Sequence, residues 1–268
     1  MKSIQAAGVR LAVYDEGTGP TTILFAHGFP LSHAMWSGQL EPLAKKYRVI
    51  APDLRGFGTS EVVPGKSTMR RFADDCAAVL DALDVRKPVV FCGLSMGGYV
   101  AWQFAKHHAD KLRALILCDT KAAADTAEAG ETRRKMAEHV LKFGTSAVAE
   151  AMPAKLFAKA TYAEQPEIVA EIRRTIEATN PQGLAAAQLG MAEREDVRAD
   201  LPTIAGGRPT LVVCGREDAI SPVDEMRAIA EGIPGAMFHV VEAAGHMSPV
   251  EQPTEFNRVL TEFVDGLR

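Results

Sequence analysis

Val89-Val90-Phe91-Cys92-Gly93-Leu94-Ser95-Met96-Gly97-Gly98 carries the clearest fold signal in this 268-residue chain. It begins as an apolar run of strand length and ends in Gly-x-Ser-x-Gly-Gly. A helix-compatible segment, residues 99–108, starts at once. A strand that becomes a helix within so few residues forces its middle residue, Ser95, into a strained backbone conformation with the hydroxyl pointing out of the turn. Glycine two residues before and two residues after Ser95 keeps neighbouring atoms from clashing there.

The flanking chain alternates in the same way. Thr22-Ile23-Leu24-Phe25-Ala26, Arg48-Val49-Ile50-Ala51, Leu115-Ile116-Leu117-Cys118, Thr210-Leu211-Val212-Val213-Cys214 and Phe238-His239-Val240-Val241 read as strands. Between them lie helical stripes: Trp36, Leu40, Leu43 and Ala44, then Phe72, Cys76, Val79, Leu80 and Leu83 within residues 68–84. A helix is expected near residues 222–231, and the last stripe is Phe256, Val259, Leu260, Phe263 and Val264. Residues 3–15 alternate loosely before the turn-rich Asp15-Glu16-Gly17-Thr18-Gly19-Pro20, which suggests an N-terminal hairpin. Strands alternating with helices predict an α/β protein with a doubly wound, mostly parallel sheet. Residues 121–200 break the pattern: no buried strand appears, and amphipathic helices are expected at 131–143 and 166–178. The expected organisation is a core of residues 1–120 and 201–268 with a helical insertion at 121–200.

A hydrophobic fraction of 47% suffices for one large core. A net charge of −4 without a lysine or arginine block argues against a nucleic-acid partner. No apolar run has the length of a membrane span. Met1-Lys2-Ser3-Ile4-Gln5 lacks the apolar core of a secretory signal, and Cys76, Cys92, Cys118 and Cys214 are too scattered for a disulfide framework. Free thiols suit the cytoplasm, which is the expected location.

A serine hydroxyl needs a base to take its proton. Of the seven histidines, His107 and His108 close a helix, His139 lies in the helical insertion, and His239 alternates within a strand. His246 follows Ala-Gly in the loop after the last strand, at the carboxyl edge where open α/β sheets bind ligands. Although His27 also stands at a strand end, His246 is the leading candidate for the base. It in turn needs a carboxylate to hold its tautomer.

Gly-Leu-Ser-Met-Gly-Gly, the loop His27-Gly28-Phe29-Pro30, the Gly-Arg-Glu-Asp-x-x-x-Pro segment at Asp218 and His246 together resemble the α/β-hydrolase superfamily. The likeness covers nearly the whole chain. It implies an eight-stranded sheet, a helical cap inserted after strand six, and a triad in the order Ser95, Asp218, His246. Asp119, at the end of the preceding strand, competes as the acid, because some members of the family carry theirs there. His27 braces its loop in this family, and Asp53 is expected to brace another beside Arg55. The oxyanion hole falls to the backbone N–H groups of Phe29 and Met96.

By sequence logic the pocket includes Phe29, Trp36, Met96 and Met247, with Phe143, Met152, Leu156, Phe157 and Met191 from the cap; each is equally compatible with core packing, and Trp102 reads as packing. His-Gly-Phe-Pro-Leu-Ser, Gly-Leu-Ser-Met-Gly-Gly and Asp119-Thr120 with Ala123-Ala124-Asp125-Thr126 are most similar to the 3-oxoadipate enol-lactonase and small-carboxylesterase branch. Serine at position 95 argues against the branches that use an aspartate nucleophile. The implied activity is hydrolysis of small esters or lactones with no cofactor and no metal. Pro30 is similar to cofactor-free perhydrolases, which use peroxide on the same triad. A ligand-binding receptor with little turnover is the reading from another class.

Overall fold

The computed structural model describes residues 1–267. Eight strands form one sheet: β1 (Lys2–Ala6), β2 (Val9–Glu16), β3 (Thr22–Ala26), β4 (Arg48–Pro52), β5 (Val89–Leu94), β6 (Leu112–Cys118), β7 (Thr210–Gly215) and β8 (Met237–Val241). Their spatial order is β1-β2-β4-β3-β5-β6-β7-β8. β1 and β2 form the expected hairpin. Its turn is Ala7-Gly8, both with positive φ, and the Gly17–Pro20 signal ends β2. β2 also runs antiparallel to β4, and every pairing from β4 across to β8 is parallel. The fold is the doubly wound α/β sheet that the alternation predicts.

Strands β3, β5, β6 and β7 are buried almost throughout, which explains their unbroken apolar runs. The sheet is flanked by helices α1 (Ser37–Ala44), α2 (Met69–Ala82) and α3 (Met96–His107). Thr68 caps α2 by accepting the Arg71 N–H at 3.1 Å, which places the helix start where the apolar stripe begins.

Six helices lie between β6 and β7: α4 (Ala127–Phe143), α5 (Ser146–Ala151), α6 (Pro153–Leu156), α7 (Lys159–Glu164), α8 (Pro166–Ala178) and α9 (Pro181–Ala192). α4 begins four residues before the expected start because Thr126 accepts the Ala129 N–H. α8 has the expected bounds and buries Val169, Ile172 and Ile176. α9 has no counterpart in the sequence reading. It is buried on nearly every side, so it carries no amphipathic stripe to detect. A Cβ on its Gly183 would stand 1.9 Å from the Gly56 carbonyl oxygen, so only glycine lets the helix seat against that loop.

The chain ends with α10 (Leu201–Ile204), α11 (Val223–Gly232), α12 (Ser248–Glu251) and α13 (Pro253–Asp265). The stripe on α13 is buried as its spacing predicts. Among the described residues no helix is long and apolar enough to cross a membrane. All four cysteines are buried and free, and burial pushes the Cys214 thiol up to about 12, well away from thiolate chemistry.

Candidate active site

Sheet register brings the first two parts together. β3 pairs with β5 so that Ala26 stands opposite Gly93. Phe29 and Met96, each three residues further on, therefore leave adjacent strands at the same level. The chain order also reverses here, since β4 lies on one side of β3 and β5 on the other. Carboxyl ends at such a switch point open a crevice.

Ser95 sits between β5 and α3 with φ +55° and ψ −112°. A β-carbon-bearing residue held at positive φ is strained, and the surroundings fix it there. Its N–H donates to the Cys118 carbonyl at 2.9 Å, and its own carbonyl accepts the Thr120 hydroxyl at 2.7 Å. A Cβ on Gly93 would meet the Gly97 carbonyl oxygen at 2.2 Å, and one on Gly97 the Ala26 carbonyl oxygen at 2.2 Å. Among the described residues, neither the Phe29 nor the Met96 N–H donates to a protein acceptor, and Met96 is the first residue of α3. A free N–H at a helix start carries partial positive charge suited to an anion.

β7 and β8 deliver Asp218 and His246. Both are nearly inaccessible, and His246 Nδ1 lies 2.8 Å from Asp218 Oδ2. Ser221, which has no role in the sequence reading, donates its hydroxyl to the same Oδ2 at 2.6 Å and lies 3.2 Å from His246 Nδ1. Asp218 Oδ1 accepts the N–H groups of Ile220 and Ser221 at 2.7 and 3.0 Å. Burial works against ionisation of Asp218. His246 and the Ser221 hydroxyl and N–H outweigh it and hold the carboxyl below its ordinary range. A pattern of acid, two residues, then serine before a helix is the available signal for Ser221.

Asp119 is fully buried and bonded elsewhere. It accepts the Gly215 N–H at 2.8 Å and the Ser248 hydroxyl at 2.5 Å. Burial, then the charge of Asp218, pushes its carboxyl well above the usual range. His27 Nδ1 donates to the Gly28 carbonyl at 2.9 Å, and its Nε2 accepts the Leu54 N–H at 3.0 Å. Burial lowers His27 to about 4, so it braces the loop as a neutral ring. Asp53 also braces a loop, through the His33 ring and the Thr59 N–H; Arg55, expected beside it, pairs with Asp75 instead. His108 is half-buried against Asp74, and His239 meets Glu255.

Ser95 and His246 line one cavity of about 410 Å³, together with Phe29, Tyr99 and Ile220. The remaining wall comes from α4 to α6 and α9, including Met152 and Met191. The other pocket expectations need correction. Trp36 is fully buried against Phe25, with ring centroids 4.8 Å apart, and against Phe256. The 3₁₀ turn His33–Trp36 carries it onto Phe25 of the central strand β3, away from the cavity. Phe143 is 64% exposed at the end of α4. Leu156, Phe157 and Met247 are buried but do not reach the cavity, and the Met96 side chain is also core. In their place the structure brings in Arg133, Met136 and His139, which follow one another at three-residue steps along one face of α4.

Residues 21–253 match the family model described as the alpha/beta hydrolase fold. A 3-oxoadipate enol-lactonase of Acinetobacter baylyi is 29% identical over 256 residues, spanning 96% of this chain and 92% of the relative. A solved thermophilic esterase from Thermogutta terrifontis, with malate bound, has a TM-score of 0.96 at 44% identity and covers 99% of this chain and 98% of its own. An enol-lactonase from Burkholderia xenovorans has a TM-score of 0.91 at 27% identity, covering 98% of this chain and 100% of its own. Matched over nearly its whole length in sequence and in backbone, the chain belongs to the alpha/beta hydrolase fold family, on its enol-lactonase and esterase branch.

Proposed function

We propose that this protein is a serine hydrolase that cleaves small carboxylic esters or lactones through an acyl-enzyme. The observation that carries the reading is the single cavity shared by Ser95 and His246, with Asp218 on the far nitrogen of His246. Asp218 keeps the proton on Nδ1, which leaves Nε2 free to take the Ser95 proton as Oγ attacks the carbonyl carbon. The N–H groups of Phe29 and Met96 hold the oxyanion. His246 returns the proton to the leaving alkoxide, which for a lactone stays tethered to the acyl group. Water activated by His246 then releases the acid. The insertion at 121–200 serves as a cap that shapes the acyl site. Rapid multiple turnover of a short p-nitrophenyl ester, with an initial burst, is the expected result. Stoichiometric binding without turnover would overturn the reading in favour of a receptor.

The charge of the cavity wall narrows the substrate. Arg133 and Lys155 line it, and none of the lining residues is acidic. Asp125 pairs with Arg133 and also with Arg194, so two guanidinium groups share one carboxylate. The excess positive charge favours an acyl group that carries a carboxylate of its own. Malate, bound in the esterase relative, has that chemistry. Arg133→Gln is expected to raise KM for a monoester of a short dicarboxylic acid by about ten- to a hundredfold, the worth of a hydrogen bond to a charged group. A neutral ester of equal length is the control. Equal losses on both substrates would remove Arg133 from substrate recognition.

A further inference from the structure

Glu251 is a buried carboxylate for which the hydrolytic mechanism has no use. It is 4% exposed, and among the described residues no lysine or arginine pairs with it. Its Oε1 accepts the N–H groups of Gly245 and Met247, at 2.8 and 3.3 Å, the residues on either side of His246. Its Oε2 accepts the Ala158 N–H at 2.8 Å, between α6 and α7, and the Thr161 hydroxyl lies against the same group. One side chain therefore holds the backbone of the expected base with one oxygen and the cap with the other. Burial without a cation outweighs these dipolar donors and pushes the Glu251 carboxyl above its usual range, while both of its oxygens still accept backbone N–H groups.

A second observation places the same two segments in contact. A Cβ on Gly245 would stand 2.6 Å from the Ala158 nitrogen, 2.7 Å from the Phe157 carbonyl carbon and 3.0 Å from the Leu156 carbonyl oxygen. The His246 loop thus lies directly on cap backbone, with no side chain between. The cap chain reaches this contact straight from Met152 and Lys155, which line the substrate cavity.

We propose that Glu251 is a positioning residue that ties the His246 loop to the cap, so that the cap segment facing the substrate also sets the place of the base. The inference rests on the role proposed above for His246. Asp218 fixes the imidazole from its Nδ1 side, and Glu251 fixes the backbone from which the ring hangs. A substrate that settles residues 152–158 thereby settles His246.

Two substitutions break the link from opposite sides. In Glu251→Gln the amide oxygen can serve the Gly245 and Met247 donors or the Ala158 donor but not both, because the NH₂ group opposes an N–H. Ala158→Pro removes the cap donor and sets a ring carbon against the carboxylate. The backbone accepts proline, since Ala158 has φ −58° and Phe157 is extended with ψ 151°. Each variant, checked for native circular dichroism, is assayed for kcat and KM on a short p-nitrophenyl ester and for the rate of Ser95 labelling by a fluorophosphonate.

The expected result is a fall of about ten- to a hundredfold in both kcat and labelling rate, the scale of a small misplacement of a catalytic group, with KM nearly unchanged. The double variant should be no worse than the poorer single one. A lower melting temperature with kcat per labelled site unchanged, an effect on KM alone, or additive losses would each overturn the link. If Glu251→Gln does not fold, Ala158→Pro decides by the same criteria. Ser95→Ala separates the two readings. If it keeps turnover, the triad assignment falls; if it is inactive while both link variants match wild type, only the role of Glu251 falls.

Discussion

Ser95→Ala should lower kcat on a small ester by roughly 10⁵- to 10⁶-fold and abolish fluorophosphonate labelling, on the scale seen when a triad nucleophile is deleted. The size follows from the geometry. Alanine leaves the Phe29 and Met96 N–H groups, Asp218 and His246 in place, so binding and part of the electrostatic stabilisation persist while the covalent route is lost. Alanine bears the same strained φ of +55° without a steric change, so the fold should stand. Circular dichroism and a thermal melt separate loss of chemistry from loss of structure. Labelling of the variant at the wild-type rate would move the nucleophile elsewhere.

Asp218→Asn should cost about 10⁴-fold in kcat, because it inverts the tautomer of His246. The new amide oxygen would stay with the Ile220 and Ser221 N–H groups, turning its NH₂ toward Ser221 Oγ and His246 Nδ1. Nδ1 must then accept, which puts the proton on Nε2, the atom needed as base. Asp119→Asn should change activity only mildly. Its amide can still accept the Gly215 N–H and donate to the Ser248 hydroxyl. If the two variants exchange these results, the triad acid is Asp119.

Asp119→Asn should also change the pH dependence of stability. Burial, then the charge of Asp218, raises the carboxyl of Asp119 in the folded state. A group with a raised folded pKa contributes stability fully below its unfolded value, about 3.9 for aspartate, and loses it as pH climbs through the folded value. The asparagine of the variant does not titrate. The stability of Asp119→Asn relative to wild type should therefore grow as pH rises from about 4 toward neutrality. Urea denaturation at a series of pH values measures this, and a gap that narrows with pH would contradict the assignment.

The elements most easily read from the sequence are those whose signal is local. The apolar run before Gly93, the two-residue glycine spacing around Ser95 and the stripe on α13 each report their own backbone. α9 escapes such a reading for the converse reason: a short helix enclosed by α4 and the 54–68 loops has no polar face, so its alanines and glycines show no period. Trp36 lies close to Phe29 in sequence, which suggests the pocket, yet a single 3₁₀ turn directs it onto Phe25. Ser221 and Glu251 carry weak local patterns. Each also has a partner in a distant segment, His246 for Ser221 and, 93 residues back, Ala158 for Glu251.

Hydrophobic period and turn chemistry act over a few residues. The α/β class, the strand-to-helix turn at Ser95 and the loops that end in Asp218 and His246 are therefore written in the chain itself. The remainder is set in three dimensions. Strand register puts Ala26 against Gly93 and so brings Phe29 level with Met96. Packing of the helical insertion chooses Arg133, Met152 and Met191 for the cavity and leaves Phe143 in solvent. A buried network gives Asp218 to His246 and Asp119 to Ser248. Register, packing of the insertion and burial are properties of distant segments meeting, and none has a signature in any one of them.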